Sequence, residues 1–306
     1  MIGTSPGTTG GLAVSSEMID IRKLWLVYNS ASGSNDPESL AALKQAFDTA
    51  GIAVDREFRF PDDPAPAQAD LVSAGVDCLA IFAGDGTIST ILRDLAGWHG
   101  KALVLPGGTM NMLSGRVHGD DVGADEIVAR LGGTDARIVR PPVIQTRHGI
   151  AFTGVTAGPG TAWNHVREAL REAKVVDMVT TAAEAIGEST GGARVRCLRP
   201  KCGIDGGYPA ITVTPETGGL EVMGYVAESL GDYAGQAVAI LQRDFRKGPS
   251  EALGIFAEVR LGGVEGEPMG LLIDGEPFDG DGTESFSLAR CEFDLIATAD
   301  TAARDA

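Results

Sequence analysis

The sequence predicts an α/β domain built on a parallel sheet over residues 21–137, followed by a β-rich sandwich domain over residues 138–287. Three observations carry this prediction. At 306 residues the chain is long for one hydrophobic core, because single cores stop growing at about 250–300 residues. Through the first 135 residues, apolar runs of strand length alternate with helical stretches, which implies a parallel sheet covered on both faces. From about residue 138 the chain reads as strands broken by Gly206-Gly207, Gly218-Gly219 and Gly262-Gly263, the grammar of antiparallel sheet. Residues from about 288 to 306 are candidates to return to the first domain.

Residues 1–20 are rich in Gly, Ser and Thr and are read as a disordered tail with no basic leader; the apolar run Leu12 to Val14 is too short for a secretory signal. Residues 23–28 form a buried strand, and 29–35 the loop that leaves it. A helix follows, with Asp36 suited to cap it, Pro37 to its first turn and Gly51 to its end. Leu40, Leu43 and Phe47 supply its apolar stripe. Residues 53–60 read as a strand, 68–74 as a short helix, 77–83 as a buried strand and 88–96 as a helix. Residues 102–105 are another strand, and 123–131 a further helix. Beyond these, strands are predicted at 138–157, 193–199, 208–215, 220–227, 252–261, 269–279 and 285–298, with helices near 161–186 and 232–242.

Charge narrows the function. A net charge of −17 argues against nucleic acid as a partner, since that affinity comes from Lys and Arg on phosphates. No stretch reaches the about 20 apolar residues that a membrane span needs. The four cysteines are few and irregularly spaced; Cys197 and Cys202 have no second Cys or His pair nearby, so reduced thiols in a cytoplasm fit better than zinc.

The segment DCLAIFAGDGTISTIL is the informative one. An apolar strand runs into Gly84-Asp85-Gly86-Thr87 and a helix follows. Glycines there let backbone N–H groups approach an anion, and the helix N-terminus adds positive potential. Thr87 can cap the helix or donate to a phosphate oxygen. Asp85 would repel a bare phosphate, which points to magnesium-nucleotide chemistry. The chain has no G-x4-G-K-[ST] loop, no complete dinucleotide fingerprint and no G-x-S-x-G elbow. A second loop, Pro106-Gly107-Gly108-Thr109-Met110-Asn111, repeats the design, and Asn29, Ser32 and Gly33 leave the first strand in the same way. All three lie at carboxyl ends of strands, where ligands bind in open α/β sheets.

Together these motifs resemble the diacylglycerol kinase catalytic-domain family, which includes bacterial lipid kinases, sphingosine kinases and ceramide kinases. The family's successive motifs read here Asn29-Ser30-Ala31-Ser32-Gly33, Ala83-Gly84-Asp85-Gly86-Thr87, Pro106-Gly107-Gly108-Thr109-Met110-Asn111-Met112 and Asp274-Gly275-Glu276. Ser30 replaces a usual proline, Ala83 a glycine and Met112 an acid. The segment 152–160, usually with Asn, has Thr153-Gly154.

The resemblance implies a nucleotide-binding first domain of the NAD kinase and phosphofructokinase type, and a β-sandwich that meets the lipid at the cleft between the two. It implies ATP and Mg²⁺ as cofactors, with Asn29, Ser32, Gly33, Gly84, Gly86, Thr87, Gly107, Gly108, Thr109 and Asn111 around the nucleotide. Asp85 would bind the metal, Asp274 would accept the proton of the lipid hydroxyl, and Glu276 would support Asp274 or the metal. Apart from the family, Asp274-Gly275 also fits a plain hairpin turn.

The acceptor would be diacylglycerol, ceramide or another sphingoid lipid, met at the inner membrane face by a cytoplasmic, peripheral protein. Two basic runs are candidate membrane contacts: Arg194, Arg196, Arg199 and Lys201, and then Arg243, Arg246 and Lys247. The helix near 161–174 is a third, with Trp163, Val166 and Leu170 opposite Arg167, Arg171 and Lys174. The four histidines show no ligand spacing and read as surface or loop residues. Two other readings stay open. A NAD kinase shares the Gly-Asp-Gly-Thr loop, although Pro106–Asn111 and Asp274-Gly275-Glu276 favour the lipid kinases. Met112 and Ala83 keep open a nucleotide-binding regulatory protein with a degenerate site.

Overall fold

The structure, a computed structural model, describes residues 19–29, 36–108, 111–133, 136–158, 194–225 and 250–299. The helices expected near 161–186 and 232–242 and the basic run at Arg243, Arg246 and Lys247 lie outside these residues.

The first unit is a mixed, mainly parallel sheet. In chain order it uses β1 (Leu24–Asn29), α1 (Pro37–Thr49), β2 (Val54–Phe60), α2 (Gln68–Ala74), β3 (Cys78–Ala83), α3 (Asp85–Asp94), β4 (Lys101–Pro106), α4 (Met112–His118), α5 (Ala124–Arg130) and β5 (Arg137–Val139). The strand order is β2-β1-β3-β4-β17-β5, where β17 (Asp294–Ala297) arrives from the far end of the chain. It runs parallel to β4 and antiparallel to β5. Alternation of side chains across a strand divides the core. Leu24, Leu26, Cys78, Ala80 and Phe82 pack with Leu43 and Phe47 of α1 and Ile127 of α5. Trp25, Val27, Leu79, Ile81 and Ala83 pack with Leu71 of α2, Ile88, Ile91 and Leu92 of α3 and Leu113 of α4.

Asp36 caps α1 by accepting the Ser39 N–H at 2.7 Å, with Pro37 in the first turn. The contacts from Ser39 hold the Asp36 carboxyl below its ordinary range. Gly51, just past the end of α1, takes φ 71, a left-handed backbone that glycine adopts without strain.

The remaining chain makes two antiparallel sheets. One has the order β12-β11-β10-β8-β14-β15 and the other β7-β6-β16-β13-β9. Their strands are β6 (Pro142–Thr146), β7 (Gly149–Ala151), β8 (Val155–Gly158), β9 (Val195–Arg199), β10 (Ala210–Glu216), β11 (Gly219–Tyr225), β12 (Ser250–Phe256), β13 (Glu258–Gly263), β14 (Gly270–Ile273), β15 (Glu276–Asp279) and β16 (Thr283–Arg290). The sheets share a buried core that includes Ile144 and Phe286 from one and Ile211, Val222 and Leu271 from the other.

Four expected strands are subdivided. The stretch 138–157 forms four short strands, 252–261 divides into β12 and β13, 269–279 is a hairpin, and 285–298 divides into β16 and β17, which join different sheets. Val143 and Phe152, from the second unit, pack into the α3 side of the first unit's core. The four thiols are free, and burial pushes Cys78 up to about 12 and Cys291 up to about 11.

Candidate active site

β3 delivers the chain to Gly84, which is the N-cap of α3. The helix starts at Asp85, three residues before the expected position, so Asp85, Gly86 and Thr87 form its first turn. N–H groups of a first turn have no intrahelical acceptor, and Gly84 brings no capping side chain. A helix N-terminus of this kind can receive an anion.

The second loop lies directly beside it. The Gly107 N–H donates to the Ala83 carbonyl at 3.1 Å, which continues the β3–β4 ladder one step past the strands. A Cβ on Gly108 would stand 2.5 Å from the Gly84 Cα, so only glycine lets the two backbones approach this closely. Asn111, at φ 51, precedes α4 and clamps the loop: its Oδ1 accepts the Gly108 N–H at 2.7 Å, and its Nδ2 donates to the Gly108 carbonyl at 2.8 Å. The Gly107 and Gly108 amides, expected to face phosphates, are therefore engaged within the protein. Asn29 donates through Nδ2 to Thr87 Oγ1 at 3.1 Å and so ties the end of β1 to α3. Ser32, Gly33 and Thr109 lie outside the described residues.

Asp85, expected to bind the metal, also holds the start of the next helix. Its two oxygens accept the N–H groups of Met112 and Leu113, both at 3.0 Å, at the start of α4. A carboxylate at a helix N-terminus is stabilised by the helix dipole and by the orphan donors. Met112 thus contributes its amide, which does not depend on the side chain that replaced the acid. Among the described residues, no group of three or more His, Cys, Asp or Glu side chains could hold a metal. Magnesium that arrives with a nucleotide needs no such cluster, since one or two carboxylates and the phosphates commonly hold it.

Asp274 and Gly275 join β14 to β15 with φ 51 and φ 83, the double positive φ of a type I′ hairpin turn. The turn does not leave Asp274 facing an open cleft, as a proton acceptor would need; its exposure is 3%. Oδ2 accepts Ser89 Oγ–H and Phe152 N–H, both at 3.0 Å. Oδ1 accepts Thr153 N–H and Thr153 Oγ1–H, both at 2.8 Å, and Gly154 N–H at 3.3 Å. A carboxylate has about four lone-pair sites, so five donors leave no room for a substrate hydroxyl in this conformation. Here Asp274 is a clamp between α3 and the 152–154 turn.

Glu276 is the carboxylate that meets the phosphate loop. It is half-buried, and its Oε1 would lie 2.2 Å from a Cβ on Gly86. Gly86 therefore leaves the space this side chain occupies.

Residues that were given no role from the sequence complete the site. Arg116 of α4 donates through Nη1 to the Phe152 carbonyl at 2.7 Å and through Nη2 to the Pro215 carbonyl at 2.6 Å, fastening the two units together. Ser89 and Thr153 serve Asp274. No local pattern marks these residues, because each contact joins segments far apart in the chain.

His118, read as a surface or loop residue, is 1% exposed. Its Nδ1 lies 2.9 Å from Thr298 Oγ1. Burial pushes its pKa down to about 4, with the Val104 backbone opposing and Arg130 assisting. Nε2 nonetheless has no hydrogen bond of normal geometry among the described residues. In the first basic run, Arg194 is held on the Gly207 carbonyl, Lys201 pairs with Asp205 at 2.8 Å, and Arg199 is exposed.

A helix N-terminus and a glycine loop stand at the ends of adjacent parallel strands, beside a second, β-rich unit. Residues 23–138 match the family model of the diacylglycerol kinase catalytic domain, a stretch that holds the motifs at 29–33, 83–87 and 106–112. The fold is similar to that of a diacylglycerol kinase from Bacillus anthracis str. Sterne, with a TM-score of 0.61 at 14% identity over 93% of this chain and 99% of that one. A second solved chain from the same organism has a TM-score of 0.63 at 15% identity, over 93% of this chain and 99% of that one. No curated protein matches the chain. The fold these structures share is a mixed parallel sheet with additional β-rich sheets. The narrower likeness to NAD kinases and phosphofructokinases remains an expectation.

Proposed function

We propose that the chain is an ATP-dependent lipid kinase, transferring the γ-phosphoryl group to a hydroxyl of diacylglycerol, ceramide or another sphingoid lipid. The observation that carries this reading is Glu276 seated on Gly86, which brings a carboxylate from the second unit to the helix end that would receive phosphate. In the transfer, the acceptor oxygen bonds to the γ-phosphorus as that atom's bond to the β–γ bridging oxygen breaks. ADP leaves, and the hydroxyl proton passes to a carboxylate and then to solvent.

Such chemistry rests on positioning and charge stabilisation. In this reading the Gly86 and Thr87 N–H groups receive phosphate oxygens, Glu276 accepts the proton, and Asp274 holds Glu276 in place. Magnesium enters only as the counter-ion that arrives with ATP. The lipid is met at a membrane surface; no helix among the described residues is long and apolar enough to cross a membrane.

The test is transfer of label from γ-labelled ATP to dispersed diacylglycerol, ceramide, a sphingoid base and NAD, assayed in parallel. Label in a lipid fraction is the expected result. Label on NAD, or ATP binding with transfer to none of these acceptors, would overturn the proposal.

A further inference from the structure

Gly86 and Ser89 lie three residues apart in α3 and so on one face of it. That face receives the β14–β15 hairpin at two points. Glu276 packs on Gly86, and Asp274 takes the Ser89 hydroxyl at 3.0 Å. Ser89 is 2% exposed and Asp274 3% exposed, so water does not compete for their hydrogen bond. Every other donor to Asp274 comes from Phe152, Thr153 or Gly154, within the second unit. Ser89 is thus the one described side chain of the first unit that holds the carboxylate at the hairpin tip.

The consequence concerns Glu276. Only Gly275 separates it from Asp274, and a two-residue turn fixes the geometry across that interval. Where Asp274 is anchored on α3 therefore decides where Glu276 stands against the phosphate loop. A displacement of about 1 Å in such a group can cost about 10²-fold in rate.

We propose that Ser89 is a positioning residue: through Asp274 it registers the β14–β15 hairpin on α3 and thereby sets the position of Glu276 over Gly86. This rests on the lipid-kinase reading for its catalytic consequence, but the mechanical link from α3 to the hairpin can be measured without turnover. A nucleotide that orders the first turn of α3 also orders the hairpin, because the two share this bond.

The experiment compares the full chain with Ser89→Ala and with Ser89→Thr, which keeps the hydroxyl. Hydrogen exchange over residues 270–279 is followed with and without a non-hydrolysable ATP analogue and Mg²⁺. In the wild type the analogue should slow exchange in the hairpin. In Ser89→Ala that slowing should be lost while protection of α3 remains, and kcat should fall about 10-fold or more with the KM for ATP within about twofold. Ser89→Thr should restore part of both effects. Two results would overturn the proposal: an unchanged hairpin response in Ser89→Ala, or a fall in kcat matched by equal losses in ATP affinity and thermal midpoint, which a general structural role produces. If the wild type labels no lipid, the lipid-kinase reading fails, while the exchange measurement still decides the link between Ser89 and the hairpin.

Discussion

Gly84 and Gly108 meet backbone to backbone, so closely that a Cβ on Gly108 would stand 2.5 Å from the Gly84 Cα. Neither atom of that contact belongs to a flexible side chain, so an added methyl group can be accommodated only by separating the two loops. Gly108→Ala should weaken ATP binding by about 10-fold or more, measured by calorimetry. Gly132→Ala is the control, since nothing lies within 4 Å of its would-be Cβ. Equal affinity in the two variants would show that the loop contact does not shape the nucleotide site.

Gly86→Ala should separate stability from activity. Alanine favours a helix interior by about 1 kcal/mol over glycine, and its Cβ would meet Oε1, Cδ and Cγ of Glu276, so that side chain must swing away. The thermal midpoint should hold or rise while turnover falls about 10- to 100-fold. Retained turnover would remove Glu276 from the reaction.

Asp85→Asn tests a reassignment. If Asp85 anchors α4 through the Met112 and Leu113 amides, asparagine can accept only with its single carbonyl oxygen and leaves one amide unsatisfied. The loss should be about 1–3 kcal/mol in unfolding free energy, seen as a lower midpoint in denaturant. An unchanged midpoint with a raised magnesium requirement would restore the metal role.

The hold of Asp85 on α4 shows where the sequence stopped being legible. The strand-to-loop-to-helix grammar around Gly84 and Pro106 can be read locally, as can the Asp36 cap and the alternating faces of β1 and β3. Asp85 in a glycine loop reads as a metal ligand, and its cap on α4 goes unread because the amides come from residues 27 and 28 positions later. The turn chemistry of Asp274-Gly275 was equally visible. Its burial was not, since that depends on Ser89, 185 positions away. Residues 288–306 are candidates to return to the first unit on the sequence alone, but the place of β17 beside β4 depends on a pairing that no local periodicity reports.

His118 sets a pH dependence. In the unfolded chain it binds a proton near pH 6.5, whereas burial delays this to about pH 4 in the fold. Between those values the unfolded state holds more protons, so stability falls as the pH is lowered from about 6.5 to about 4, by up to about 3 kcal/mol. Denaturant unfolding across this range should show that slope, and His118→Gln should flatten it. The same slope in the variant would assign it to other groups.

Glu276→Gln is the most direct test of the account, because it removes the carboxylate from Gly86 while keeping its shape. ATP affinity by calorimetry and turnover with the best lipid acceptor should be measured on the same preparation. The account predicts ATP binding within about threefold of wild type and turnover lower by about 10²- to 10⁴-fold. Wild-type turnover in Glu276→Gln would contradict it, and would return the proton to another acceptor.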